Sequence, residues 1–143
     1  MATKPTVLLA EPTQLSILLA EDDGEMRSLV AAMLRGEGYR VEEAASGADL
    51  TRAIAARLDR RHGAPLDLVV SDVRMPGPSG LQVLEALRTV DWATPVVVMT
   101  AFGDEDLRAE ALRLGAAAVL DKPFALEDLK RTVRRLIGTA IAQ

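Results

Sequence analysis

The sequence predicts an α/β fold in which helices cover both faces of a parallel sheet. Short apolar runs alternate with segments that have apolar residues every three or four positions, and glycine or proline separates many of them. Such runs are typical of buried strands, and the three-to-four spacing is typical of amphipathic helices. Strands that alternate with helices form a parallel sheet through right-handed crossovers.

The first strand is preceded by a near copy of itself. Residues 7–11 (VLLAE) almost repeat residues 17–21 (ILLAE), so either segment could be the first strand. The second copy is favoured because an amphipathic helix follows it directly and ends at Gly36 or Gly38. The apolar stripe of this helix is Met26, Leu29, Val30, Met33 and Leu34.

Residues 1–15 are then predicted to be an N-terminal extension, for which three alternatives stay open. It is disordered, forms an added edge strand, or contacts a second copy of the chain. Residues 16–138 are predicted to be one domain and residues 139–143 a short tail, because 143 residues suit a single core.

The middle of the chain continues the alternation. Residues 39–45 predict a second strand, and about residues 48–61 predict a helix that ends before a His-Gly-Ala-Pro turn. The apolar run at 66–71 predicts a third strand, which leads into a Pro/Gly-rich loop and a helix to about residue 89. The stripes of these two helices are Leu50, Ile54 and Leu58, and Leu81, Leu84 and Leu87.

The last third adds two more strands and two more helices. The valine-rich segment 95–100 predicts a strand, residues 104–114 a helix that ends at Gly115, and residues 117–121 a fifth strand. A final helix follows Pro123, with its stripe at Leu126, Leu129, Val133, Leu136 and Ile137. Five such strand–helix units match the flavodoxin-like strand order 2-1-3-4-5, a three-layer sandwich.

Composition limits the classes of function. The net charge of −4 gives no support to a broad nucleic-acid or anionic-membrane surface. With no cysteine the chain has no disulfide, thiolate metal site or thiol nucleophile. The apolar stretch 6–10 is too short for a signal peptide or a membrane span. We therefore expect a soluble, cytoplasmic protein.

Polar residues follow four of the predicted strands. Glu21, Asp22 and Asp23 follow the first strand, and Asp72 follows the third. Thr100 closes the fourth strand and Lys122 follows the fifth. Because the carboxyl ends of parallel strands share one edge, these groups are expected to converge there. Asp23 is interpreted as an acid at a helix N-terminus, where the helix dipole favours it.

These residue types suit magnesium-dependent phosphoryl transfer. Crowded carboxylates favour a bound cation, and hard oxygen ligands suit Mg²⁺. An aspartate beside a cation can attack a phosphoryl group, while an ammonium and a hydroxyl stabilise its oxygens. The sequence thus predicts Asp72 as the nucleophile, with Thr100 and Lys122 assisting, and an aspartyl phosphate as the product.

From about residue 16 to 138 the chain resembles the receiver domain of two-component response regulators. The motifs are LLAEDD at 18–23, SDVRMPG at 71–77, MTA at 99–101 and DKPF at 121–124, with spacings of 28 residues from Asp72 to Thr100 and 22 from Thr100 to Lys122. The resemblance implies that Asp72 accepts phosphate from a sensor histidine kinase or phosphotransfer protein. It also implies that Asp22, Asp72 and the Arg74 carbonyl bind Mg²⁺, with Glu21 contributing through water.

The resemblance implies further properties of the whole domain. It is expected to be a signalling switch, not an enzyme, that acts on a protein partner through helix 4, strand 5 and helix 5. No direct contact with nucleic acid or membrane is expected. The domain is expected to be a monomer or a phosphorylation-dependent dimer, and either a stand-alone regulator or the receiver part of a larger one.

Two departures from the family pattern and two bulky residues near the acceptor affect these expectations. Val119 stands where the family usually has an aromatic residue that turns inward on phosphorylation, which puts the usual route of coupling in question. Glu21 replaces a common aspartate, which is a mild change. Arg74 and Phe102 flank the path of a hydrolytic water in the family, so slow loss of phosphate is expected.

Alternative functions remain open. Val119 is compatible with a pseudo-receiver, an interaction module without phosphotransfer. A magnesium-dependent phosphatase is disfavoured because Arg74 occupies the position of its general acid. A flavin or nucleotide site is disfavoured because carboxylates follow the first strand in place of a Gly/Ser/Thr-rich phosphate loop. The basic residues of the last helix, interpreted as a solvated face or a partner-docking surface, are Lys130, Arg131, Arg134 and Arg135.

Overall fold

The computed structural model describes residues 14–59 and 65–139. Within these ranges five strands and five helices alternate. The strands are β1 Ser16–Ala20, β2 Arg40–Ala44, β3 Leu68–Asp72, β4 Val96–Ala101 and β5 Ala118–Lys122. The helices are α1 Gly24–Gly36, α2 Gly47–Leu58, α3 Gly80–Arg88, α4 Glu105–Arg113 and α5 Leu126–Ile137.

The choice of the second copy as the first strand is confirmed. β1 begins at Ser16, and its main chain is paired on both sides, with β2 and with β3. The earlier copy at residues 7–11 lies outside the described residues, as do His62 and the turn around it. The prediction for the N-terminal extension therefore stays a prediction.

All five strands are parallel and lie in the order β2-β1-β3-β4-β5, as predicted. Two core layers enclose the sheet. Strand residues of one parity, such as Leu18 and Val98, pack with α2, α3 and α4. Residues of the other parity, such as Leu19 and Val97, pack with α1 and α5. Burial on both faces explains why the central strands are almost wholly apolar.

Two leucines that were predicted to lie on buried stripes are exposed. Leu29 is 53% exposed and Leu58 is 41% exposed. The buried face of α1 centres on Val30 and Leu34, and one residue step turns Leu29 by about 100° away from it. Leu58 is the last residue of α2, one turn beyond Ile54, the last buried residue of that helix. Neither error changes the assignment of an element.

The third strand differs from its prediction in a way that matters for the site. It was predicted over residues 66–71, but it starts at Leu68 and includes Asp72. Just before the strand, the amide of Asp67 donates to Ser16 O (3.0 Å), and the amide of Ser16 donates to the carboxylate of Asp67 (2.7 Å). At the other end Asp72 is in register with Met99, and Val73 N donates to Met99 O (3.0 Å). Asp72 is thus held by sheet pairing on one side.

Helices begin at the same edge at which the strands end. The side chains of Asp23, Ser46, Ser79 and Asp104 cap α1, α2, α3 and α4 by accepting backbone N–H bonds.

Among the described helices, none combines the length and the apolar character that crossing a bilayer requires.

Candidate functional site

Three carboxylates meet at the carboxyl ends of β1 and β3. Glu21, Asp22 and Asp72 each offer an oxygen, and these oxygens all lie within 4.8 Å of one another. Glu21 and Asp72 are buried, whereas Asp22 is exposed. The amide of Asp23 donates to Glu21 Oε2 (3.1 Å) and helps to hold that side chain. The convergence follows from the parallel register of β1 and β3.

Lys122 connects two of these carboxylates. Its Nζ donates to Glu21 Oε1 at 2.6 Å and to Asp72 Oδ2 at 2.8 Å. Burial raises the pKa of Glu21, and the hydrogen bond from Lys122 opposes this rise. Burial by itself would lower the pKa of Lys122, but the hydrogen bonds to Asp72 and Glu21 and the charges of these carboxylates outweigh it and raise that pKa. Lys122 is therefore an ammonium ion at neutral pH.

Thr100 contributes a buried hydroxyl to the site. The residue is 1% exposed, and its Oγ1 has no hydrogen-bond partner in the part of the chain that the structure describes. Buried hydroxyls are nearly always paired, so an unpaired one beside a cavity indicates a place for a ligand atom. Asp72, Thr100 and Lys122 line the same cavity, which has a volume of about 500 Å³.

Apolar and charged side chains both line this cavity. Met26 of α1, Phe102 and Pro123 are apolar, and Phe102 is 79% exposed. Arg74 is charged, and its backbone N–H donates to Asp72 Oδ1 (3.3 Å). The cavity opens to solvent, so the carboxylates are accessible to an incoming group.

Asp23, the third acid of the motif, has a structural role. Its Oδ1 accepts from Glu25 N at 3.0 Å and from Met26 N at 3.1 Å, which caps α1. Its side chain is not one of the three that converge. The interpretation of Asp23 as a helix N-terminal acid is confirmed.

The donor set suits a hard divalent cation. Carboxylate oxygens, one of them exposed, leave room for the waters that Mg²⁺ keeps in proteins. Glu21, Asp22 and Asp72 are the side chains that would hold it, and the Arg74 carbonyl is the predicted main-chain ligand. Such a cation would offset the repulsion among three carboxylates, which Lys122 balances only in part.

Two residues that support the site were not found by the sequence analysis. The guanidinium of Arg27 donates from Nη1 to Glu21 O (2.8 Å) and from Nε to Glu43 Oε1 (3.2 Å), which secures the end of β1. Gly80 lets α3 approach β3, because a Cβ there would lie 2.2 Å from Asp72 O. A glycine at the first residue of a helix after a Pro/Gly loop was the available signal for Gly80.

Val119 is a core residue in this structure. It is 9% exposed, stands in register with Val98 on β4, and belongs to the layer that packs against α2, α3 and α4. A small β-branched side chain is restricted in its rotation at χ1 and is too small for a large movement. The large aromatic movement that the family resemblance implies has no counterpart at this position.

Comparison with known proteins identifies what the chain is similar to. A sequence model of the response regulator receiver domain matches residues 17–134. The transcriptional regulatory protein FixJ of Azorhizobium caulinodans is 38% identical over 134 residues, which cover 92% of this chain and 59% of FixJ. Sporulation initiation phosphotransferase F of Bacillus subtilis is 28% identical, with 85% of this chain and 92% of that protein covered.

Solved structures give the same result. The chemotaxis response regulator CheY4 of Vibrio cholerae superimposes with a TM-score of 0.74 at 31% identity, covering 87% of this chain and 99% of that one. A Francisella response regulator receiver domain gives a TM-score of 0.77 at 25% identity, covering 86% and 96%. The chain thus spans nearly all of some relatives and about three fifths of FixJ.

Proposed function

Because this chain belongs to the response regulator receiver domain family, we propose that it is a phosphorylation-controlled switch in which Asp72 accepts the phosphoryl group. The observation that carries the proposal is the bridge from Lys122 to Glu21 and Asp72 beside the unpaired Thr100 hydroxyl. A nucleophile, a fixed ammonium ion and a free donor line one open cavity.

The chain's own residues each have a defined part in the transfer. A carboxylate oxygen of Asp72 attacks the phosphorus of a phosphohistidine, the new P–O bond forms as the P–N bond breaks, and the histidine leaves. The Lys122 ammonium stabilises charge on the phosphoryl oxygens, and the Thr100 hydroxyl donates to one of them. Mg²⁺ held by Glu21, Asp22, Asp72 and the Arg74 carbonyl would neutralise part of the charge on the carboxylates and the phosphoryl group.

A sensor histidine kinase or a phosphotransfer protein is the proposed donor, and a protein is the proposed downstream partner. The name of the B. subtilis relative describes a phosphotransferase, which supports a phosphotransfer role for this chain as well. Output through α4, β5 and α5 stays a prediction. The route by which it would work is unlike the family pattern, because Val119 is buried and small.

The test is phosphorylation by acetyl phosphate with Mg²⁺, read by intact mass. We expect one phosphoryl adduct on the wild-type protein and none on Asp72→Asn or in the presence of EDTA. Asp49→Asn is the matched control, because Asp49 is a half-exposed acid of α2 whose side chain pairs with Arg52 of the same helix. An adduct that persists in Asp72→Asn would assign the acceptor elsewhere, and no adduct on folded wild type would favour the pseudo-receiver.

The phosphorylated form is expected to be long-lived. Arg74 and Phe102 both line the cavity above Asp72, and both are bulky, exposed side chains. They would restrict the approach of a water to the phosphorus. Loss of the adduct is followed by mass after acetyl phosphate is removed. Rapid hydrolysis by the purified protein would contradict this expectation.

A further inference from the structure

The guanidinium of Arg74 is a weakly held cation beside the acceptor. The side chain is 77% exposed, and its Nη2 lies 4.0 Å from Asp104 Oδ2. An exposed ion pair at this distance contributes little to stability. Asp104 also serves α4, since its Oδ1 caps the helix by accepting from Leu107 N (3.1 Å). Arg74 can therefore leave Asp104 without uncapping α4.

Other basic side chains around the site are more firmly engaged. Lys122 is hydrogen-bonded to two carboxylates, at 2.6 Å and 2.8 Å. Arg27 is bonded to Glu43 and to the carbonyl of Glu21. Arg108 of α4 forms a 2.8 Å ion pair with Asp121. Among the described residues near the cavity, Arg74 is the cation with the longest ion-pair distance.

Arg74 also stands between two cavities. It lines the cavity above Asp72, and it lines a neighbouring groove of about 430 Å³ that is bounded by Leu81, Asp104 and Leu107. Its backbone nitrogen is 3.3 Å from Asp72 Oδ1. Because an arginine side chain is long and turns about several single bonds, we infer that its guanidinium can move from the groove toward a group attached to Asp72.

We propose that the Arg74 guanidinium binds the phosphoryl group on Asp72 and gives up Asp104 to do so. This inference rests on the proposed function. A phosphoryl group carries more negative charge than a carboxylate and offers three acceptor oxygens. Arginine binds such a group through two parallel hydrogen bonds. Asp104 and the phosphoryl group thus compete for one arginine.

This exchange gives the chain a link from the acceptor to α4 that does not need an aromatic residue at position 119. The ion pair of Arg74 with Asp104 connects the loop after β3 to the capping residue of α4, and phosphorylation would break that ion pair. The N-terminal turn of α4 then loses its only ion pair to the β3–α3 loop within the described residues. Signal transfer would begin at the start of α4 and not in the core around Val119.

The test is a cycle of four proteins titrated with beryllium fluoride in the presence of Mg²⁺ and followed by fluorine NMR. The proteins are the wild type, Arg74→Gln, Asp104→Asn and the double variant. Asparagine caps a helix about as well as aspartate, so Asp104→Asn removes the charge and keeps the cap. Melting temperatures confirm that each variant is folded.

We expect Arg74→Gln to bind beryllium fluoride about five-fold to ten-fold more weakly than wild type. Asp104→Asn should bind about two-fold to five-fold more tightly, because Arg74 no longer has a competing partner. In the Arg74→Gln background the second substitution should have no effect. Arg74→Lys should restore part of the affinity, and high salt should reduce the difference between wild type and Arg74→Gln.

Two other results would overturn the inference. If wild type and Arg74→Gln bind equally well, Arg74 does not contact the phosphoryl position, although the proposed function would stand. The same holds if Asp104→Asn acts equally in both backgrounds, since no exchange then takes place. If the folded wild type does not bind beryllium fluoride at all, the proposed function itself fails together with the inference.

Discussion

Lys122→Met removes the ammonium ion that bridges Glu21 and Asp72 and keeps an unbranched side chain of similar length. In the wild type the Nζ lies 2.6 Å and 2.8 Å from the two carboxylate oxygens. The side chains of Glu21 and Asp72 are only 1% and 10% exposed. The variant therefore leaves two buried acids close together without their cation.

The size of the effect follows from this burial. Breaking a buried ion pair by removing one partner costs about 3–5 kcal/mol. The side chain of Lys122 is 28% exposed, so water in the cavity reduces this cost. We expect the free energy of unfolding of Lys122→Met to fall by about 2–3 kcal/mol at neutral pH without Mg²⁺.

The pH dependence has a definite sign. Burial already raises the pKa of Glu21, and loss of the hydrogen bond from Lys122 raises it further. A carboxyl whose pKa is raised on folding stabilises the protein below its unfolded pKa and loses that contribution as the pH rises through the folded pKa. The defect of Lys122→Met should thus be largest at neutral pH and shrink toward about pH 5.

Urea unfolding of wild type and variant, at both pH values and with or without Mg²⁺, measures these effects. Mg²⁺ should stabilise Lys122→Met more than wild type, since it supplies the missing positive charge. Lys130→Met is a matched control on α5, away from the site. The Nζ of Lys130 lies 3.0 Å from a carboxylate oxygen of Glu127 and 3.7 Å from one of Glu37. A defect of equal size at both pH values and with Mg²⁺ would refute the electrostatic explanation.

Three further predictions concern other residues of the site. Thr100→Val should raise the free energy of unfolding by about 1 kcal/mol, because it removes an unpaired buried hydroxyl, yet weaken beryllium fluoride binding. Gly80→Ala should destabilise the fold by about 2 kcal/mol and slow phosphorylation of Asp72, because its Cβ would lie 2.2 Å from Asp72 O. Gly36→Ala is the control and should do neither, because a Cβ at Gly36 would have no neighbouring atom within 4 Å. Urea unfolding measures the stability of both variants, and intact mass measures their phosphorylation. Calorimetric titration should show that Mg²⁺ affinity falls as the pH drops. The fall should begin at a pH above the ordinary titration range of a glutamate, because the pKa of Glu21 is raised and protons compete with Mg²⁺ for its carboxylate there. Equal Mg²⁺ affinity down to the ordinary carboxylate range would contradict the last prediction.

Much of the fold was predictable because its signals are local. Apolar runs, helical spacing and turn residues located every described strand and helix to within a few residues. The alternation of strands and helices then limited the topology to the observed order. The errors at Leu29 and Leu58 arose because their burial is not a local property. Which flank of an amphipathic helix meets the sheet depends on how the helix is docked, and spacing alone does not contain that rotation.

The sequence by itself determined which chemical groups arrive at the active edge of the sheet, because a residue that follows a parallel strand must lie there. Only the tertiary structure decided how they pair. Lys122 meets Glu21 and Asp72 across 101 and 50 residues of chain, and this contact depends on the register of the four strands β1, β3, β4 and β5. The unpaired hydroxyl of Thr100 and the long ion pair of Arg74 with Asp104 were equally invisible in the sequence. Residue types and their order are local properties, whereas distances between side chains are set by the packing of the whole domain.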